Sequence, residues 1–87
     1  PRTVEFELED RRQALERVLL HFAHFEKRAE RLDDRRTRLR ITYDRDDETE
    51  MVIRVLSFGP MVRVTGPDHF IDLIRERLTQ QRESGLK

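Results

Sequence analysis

The stretch Arg36-Thr37-Arg38-Leu39-Arg40-Ile41-Thr42-Tyr43 alternates without a break, with Thr37, Leu39, Ile41 and Tyr43 on one phase and Arg36, Arg38, Arg40 and Thr42 on the other. Successive side chains of a β-strand point to opposite faces, so this period of two predicts a strand with an apolar face turned to a core and a basic face turned away from it. Asp44-Arg45-Asp46-Asp47 closes the strand. Upstream, Thr3-Val4-Glu5-Phe6-Glu7-Leu8 alternates in the same way and predicts a first strand, with Val4, Phe6 and Leu8 inward. Downstream, Met61-Val62-Arg63-Val64-Thr65 predicts another, with Val62 and Val64 inward. The stretch from Phe25 to Leu32 loses the helical period and reads as a further strand, ended by Asp33-Asp34, which suit a tight turn.

Helical spacing fills the gaps between these strands. Ala14, Leu15, Val18, Leu19 and Phe22 recur on one side of a helix expected from about Arg11 to about His24, with Asp10 and Gln13 placed as a capping box. Asp47 and Glu50 form a second candidate box, ahead of a helix carrying Met51, Val52, Val55 and Leu56 on one face and ending near Phe58. Gly59-Pro60 stops it, because glycine accepts a left-handed turn and proline cannot continue a helix. Gly66-Pro67-Asp68 opens a last helix with Phe70, Ile71, Ile74 and Leu78 as its packed stripe. The polar tail from Gln80 to Lys87 is expected to fray.

The order strand, helix, strand, strand, helix, strand, helix is the split βαβ plan, an α+β class. It predicts a ferredoxin-like βαββαβ domain with an extra C-terminal helix and a four-stranded antiparallel sheet, strands one and three central. With 87 residues and no internal linker, residues 1–87 make one domain with a thin core. The opening at Pro1 reads as a piece cut from a longer protein. Lys+Arg and Asp+Glu both number 18, so despite a charged fraction of 41% no global field favours nucleic acid or membrane, and only a local patch can do so. The chain has no cysteine, which removes thiolate chemistry and disulfides and fits a cytoplasmic setting. The longest apolar run, residues 18–25, is too short to span a bilayer and holds two histidines, so no membrane partner is expected.

The segment from Asp47 to Pro67 resembles the signature of the WCX domain, the C-terminal extension of bacterial WYL-type transcriptional regulators. Leu56-Ser57-Phe58-Gly59, the strand valines Val62 and Val64, and Pro67 at the final helix carry the likeness. The resemblance implies a regulatory and assembly domain, for dimerisation or effector response, in a regulator with a helix-turn-helix and a central WYL domain. It implies as partners the WYL domain of the same or a partner subunit, a second copy in a homodimer, and DNA held by the helix-turn-helix domain. The chain has no tryptophan, so the WYL domain's own ligand residues have no counterpart here.

The residues give no reason to expect an enzyme, a cofactor or a metal. Ser57 and Ser84 lack a spaced His and carboxylate, the paired acids Asp33-Asp34 and Asp46-Asp47 suit turns and caps, and His21 and His24 lack a convincing third zinc ligand. Gly59, Pro60, Gly66 and Pro67 are expected to be structural turn residues. Arg36, Arg38 and Arg40, with Arg63 beyond Glu5 and Glu7, are the candidate ligand or partner residues. A solvated face with cross-strand Glu–Arg pairs of about 0.2–1 kcal/mol each, or a contact with a partner domain, accounts for them. The alternative is an anionic-ligand or single-stranded nucleic-acid module using guanidinium forks on the sheet face. Base stacking would need aromatics on that face, whereas Phe6 and Tyr43 fall on the inward phase.

Overall fold

A computed structural model describes residues 1–11 and 13–85. The elements are β1 (Arg2–Glu9), α1 (Ala14–His21), β2 (Glu26–Arg31), β3 (Arg36–Tyr43), α2 (Glu48–Leu56), β4 (Val62–Gly66) and α3 (Asp68–Gly85). The four strands form one antiparallel sheet in the order β2-β3-β1-β4, so the two stretches with the cleanest alternation occupy its centre. This is the ferredoxin-like arrangement with an added C-terminal helix.

Alternation sorts the sheet as expected. Val4, Phe6 and Leu8 of β1 and Leu39, Ile41 and Tyr43 of β3 are buried, and they meet Ala14, Val18 and Phe22 from α1, Met51, Val52 and Val55 from α2, and Phe70 from α3. Phe22 is the aromatic hub, with its ring centroid 5.9 Å from Phe6, 6.0 Å from Phe58 and 6.3 Å from Phe25. Lys27, whose strand position faces the covered side of the sheet, donates from Nζ to the carbonyls of Phe22 and Phe25 at 3.2 Å and so satisfies oxygens left free after α1.

Several boundaries differ from the sequence reading, each for a physical reason. Neither capping box forms. Asp10 is held through its backbone N–H, 2.6 Å from the Arg35 carbonyl, and Gln13 enters α1 in the left-handed region at φ 61°, so the helix begins at Ala14 with no side-chain cap. It also ends early, at His21, because Phe22 turns out of helical geometry to enter the core. Asp47 belongs to a short 3₁₀ turn, Arg45–Asp47, and makes no side-chain cap on α2. The end of α2 falls at Leu56, with Ser57 and Phe58 as turn residues. Met61 lies in a second 3₁₀ turn, Gly59–Met61, so β4 starts at Val62 and runs through Gly66.

In α3 the stripe rotates relative to the expected one. Leu73 packs on the core beside Phe70 and Ile74, while Leu78 is 49% exposed. Residues 80–85 continue the helix instead of fraying, and residues 86 and 87 of the expected tail lie outside the described residues.

Gly59 has φ 61°, and a Cβ built there would meet nothing within 4 Å, so the demand for glycine is conformational rather than steric. Gly59→Ala is therefore expected to destabilise the domain by about 1–2 kcal/mol, the penalty of placing an L side chain in the left-handed region. A lowered midpoint in urea with an unchanged slope would register this.

Candidate functional site

With helices covering one face of the sheet, the other carries the charged phase of every strand. The register places Glu5 opposite Arg40, Glu7 opposite Arg38 and Glu9 opposite Arg36 across β1 and β3. Glu30 stands opposite Arg38 and Arg28 opposite Arg40 across β2 and β3. On the far side of β1, Arg63 stands opposite Glu7. Apart from the Arg28–Arg40 pair, charges of opposite sign face each other across the strands, in keeping with the chain's net charge of zero.

The expected arginines share this face but not the same circumstances. Arg40 donates from Nη2 to Glu5 Oε2 at 2.8 Å, and Thr65 donates to the other carboxylate oxygen at 3.0 Å. Those two hydrogen bonds, Arg40's first, hold the Glu5 carboxyl below the usual carboxylate range against a small opposing effect of burial. Arg36 is committed at the β2–β3 turn, where its Nε lies 2.9 Å from Asp33 Oδ2. Asp33 also accepts the backbone N–H groups of Arg35 and Arg36 at 2.8 Å, so this acid is a turn residue. Backbone donation from Arg35 is the leading reason that its carboxyl sits below the ordinary value.

Arg38 is engaged far more loosely. Its nearest carboxylates, Glu30 at 3.7 Å and Glu7 at 3.8 Å, are beyond hydrogen-bond length, and its buried Nε has no partner. Arg28, which sequence reasoning passed over, has no carboxylate within ion-pair distance among the described residues and lies directly across from another arginine. The only signal for it in the sequence is its phase within β2. Arg63 is exposed on the other side of β1 and makes no ion pair among the described residues.

A second surface is apolar. Val55, Leu56, Val62, Val64, Ile71, Ile74 and Leu78 line a groove of about 450 Å³ between α2, β4 and α3. Sequence periodicity marked these residues as core, yet Leu78 is half exposed and Leu56, Val62, Val64, Ile71 and Ile74 are only partly covered.

A polar knot ties the opposite end of the helical layer. Arg2 Nη1 reaches both oxygens of Glu48 at 2.7 and 2.6 Å, Tyr43 donates its phenol to Glu48 at 2.9 Å, and His69 Nε2 lies 3.2 Å from both oxygens. The knot joins β1, β3, α2 and α3. Burial alone would raise the Glu48 carboxyl, but the hydrogen bonds from Arg2, Tyr43 and His69 outweigh it and hold the group below its ordinary value. Burial first, then the bond to Glu48, pushes the Tyr43 phenol far above its usual range.

Ser57, Ser84 and His21, considered for chemistry, sit in structural settings. Ser57 donates to the Arg54 carbonyl at 2.6 Å and Ser84 to the Gln80 carbonyl at 2.6 Å. The His21 ring packs edge-on to Phe58 at 5.0 Å. Among the described residues no group of three His, Cys, Asp or Glu side chains is placed to hold a metal ion, and no helix is long and apolar enough to cross a membrane.

Fold and surfaces together define an α+β module with a charged sheet face and an apolar groove beside its edge strand. The family model of the WCX domain matches residues 2–81. The chain belongs to the WCX domain family, a family associated with WYL-type regulation and not with catalysis. Comparisons with curated proteins and with solved structures each give no match.

Proposed function

We propose that this chain is the regulatory and assembly domain of a cytoplasmic WYL-type transcriptional regulator, and that it joins two copies of that regulator through the groove along β4 and α3. The observation that carries the reading is the concentration of partly exposed aliphatic side chains in that groove on a chain whose charged fraction is 41%. Apolar surface gathered in one place on an otherwise charged domain marks a contact site.

A second copy of the chain fits this surface. β4 ends the sheet, and antiparallel pairing of two such strands about Val64 sets Val62 against Gly66 and Arg63 against Thr65, with no like charges opposed. The other edge strand, β2, has the sequence Glu26-Lys27-Arg28-Ala29-Glu30-Arg31, and dense charge along an edge discourages strand addition. The helix-turn-helix and WYL domains expected in the same regulator would carry DNA and effector, and this module would set the spacing of the two halves.

Light scattering across a concentration series tests the assembly role. The wild-type chain is expected to approach twice its monomer mass of 10.6 kDa, and Leu78→Asp, which changes an already half-exposed position, is expected to stay monomeric with an unchanged far-UV circular dichroism spectrum and a melting midpoint that no longer rises with concentration. A wild-type chain that remains monomeric throughout would remove the reading.

A further inference from the structure

We infer that Arg28, Arg38 and Arg40 form a binding site for an oxyanion, a phosphate or carboxylate group of a small molecule. The site is on the sheet face away from the groove, so the inference stands or falls independently of the assembly role.

Three observations converge on it. First, Arg28 and Arg40 are direct cross-strand partners. Like charges placed opposite each other in a sheet are unfavourable, and an anion between them turns the repulsion into two attractions. Second, the Nε of Arg38 is buried and has no hydrogen-bond partner, and the neighbouring carboxylates of Glu30 and Glu7 stand at 3.7 and 3.8 Å. A buried donor left without an acceptor is uncommon in native structures, and it defines a direction from which an acceptor is wanted. Third, these side chains share a hollow of about 370 Å³ lined by Arg28, Ala29, Glu30, Arg38 and Arg40. Its location on β2 and β3 separates it from Arg36, which Asp33 holds, and from Arg63, which lies across β1.

The chemistry of the donors fits an oxyanion. Guanidinium groups present planar forks of N–H donors that match two oxygens of a carboxylate or phosphate at once. Arg40 spends one fork nitrogen on Glu5 and keeps others, Arg28 has all of its donors uncommitted among the described residues, and Arg38 has Nη groups that no carboxylate reaches within hydrogen-bond length. Glu30, 67% exposed on the rim, is free to swing toward solvent when an anion enters. Phosphate, with more oxygens and more charge, can engage all three arginines together, whereas a single carboxylate can bridge two of them.

The test is a pair of titrations followed by two-dimensional NMR of backbone amides and arginine Nε–H groups, one with inorganic pyrophosphate and one with citrate, each against sodium chloride at matched ionic strength. Saturable shifts confined to residues 28–30 and 38–40 are expected with one or both anions, and the stronger binder identifies the group. Arg28→Gln is expected to weaken the response at least tenfold, with the spectrum otherwise retained because Arg28 is exposed on an edge strand. Arg63→Gln, on the same face but across β1, is expected to leave it unchanged. Shifts that fail to saturate, that sodium chloride reproduces, or that persist in Arg28→Gln would overturn the site.

Discussion

Phe22→Ala is expected to lower the free energy of unfolding by about 3–5 kcal/mol, as large aromatic truncations do when the surrounding core collapses only in part. The ring is fully buried and touches the aromatic side chains of Phe6, Phe25 and Phe58 from three separate parts of the chain. Its removal therefore leaves a void where α1, the centre of the sheet and the turn after α2 meet. A domain of this size has a total stability of about 5–15 kcal/mol, so the variant would be partly unfolded at ambient temperature if the parent lies at the low end. Urea unfolding followed by circular dichroism measures the loss. Phe22→Leu is expected to recover more than half of it, because most of the volume is restored. An alanine variant within about 1 kcal/mol of the parent would refute the role given to this ring.

The second large effect is at Glu48. Glu48→Ala strands the buried Tyr43 phenol, which currently donates to the carboxylate at 2.9 Å, and releases Arg2 from its two short contacts. An unsatisfied buried hydroxyl costs about 1–3 kcal/mol, and the whole loss is expected in that range because the Arg2 pair is partly open to solvent and adds little. The sign of the pH dependence follows from the direction of the shift. The folded-state carboxyl lies below its unfolded reference of 4.5, so its stabilisation is fully present above that reference and is lost as pH falls through the folded value. Urea midpoints of Glu48→Ala and the parent measured at neutral and at acid pH should lie closer together at the acid end. Equal differences at both pH values would show that the carboxylate's ionisation is not what supports the knot.

Much of the architecture was legible because strand alternation is a local property. The phases of Val4-Glu5-Phe6 and Leu39-Arg40-Ile41 each state which side chains face the helices, and two such strands side by side fix the register that sets Glu5 against Arg40. The start of α1 was not legible, because a capping pattern is a bid that other backbone partners can outcompete, whereas α2 begins directly after Asp47 and α3 at Asp68, where the sequence places them. Asp10 is drawn to the Arg35 carbonyl, a residue well beyond any window that reads a cap. The rotation of the α3 stripe has the same origin: α2 and β4 determine which aliphatic residues are covered, and Leu78 extends past them.

The candidate site was legible only in part. Arg36, Arg38, Arg40 and Arg63 do share one face, as their phases imply, but the sequence is silent on which guanidinium is already engaged. Asp33 captures Arg36 through a turn, and Arg28 enters only because β2 pairs with β3 at the register that opposes it to Arg40. The Arg2–Tyr43–Glu48–His69 knot left no trace at all, since its members come from four elements and Arg2 and Glu48 are 46 positions apart.

The central position of β1 has a mechanical consequence. Its neighbours β3 and β4 both run antiparallel to it and both hydrogen-bond to it. Tension applied at Pro1 along the strand therefore loads two ladders in shear, so many bonds must yield together before the strand slides. A pull on β4, bonded along one side, meets half as many rows. The domain is stiff when drawn from its first residue and compliant when peeled from its last strand, so a displacement arriving through β1 moves the sheet as a rigid plate.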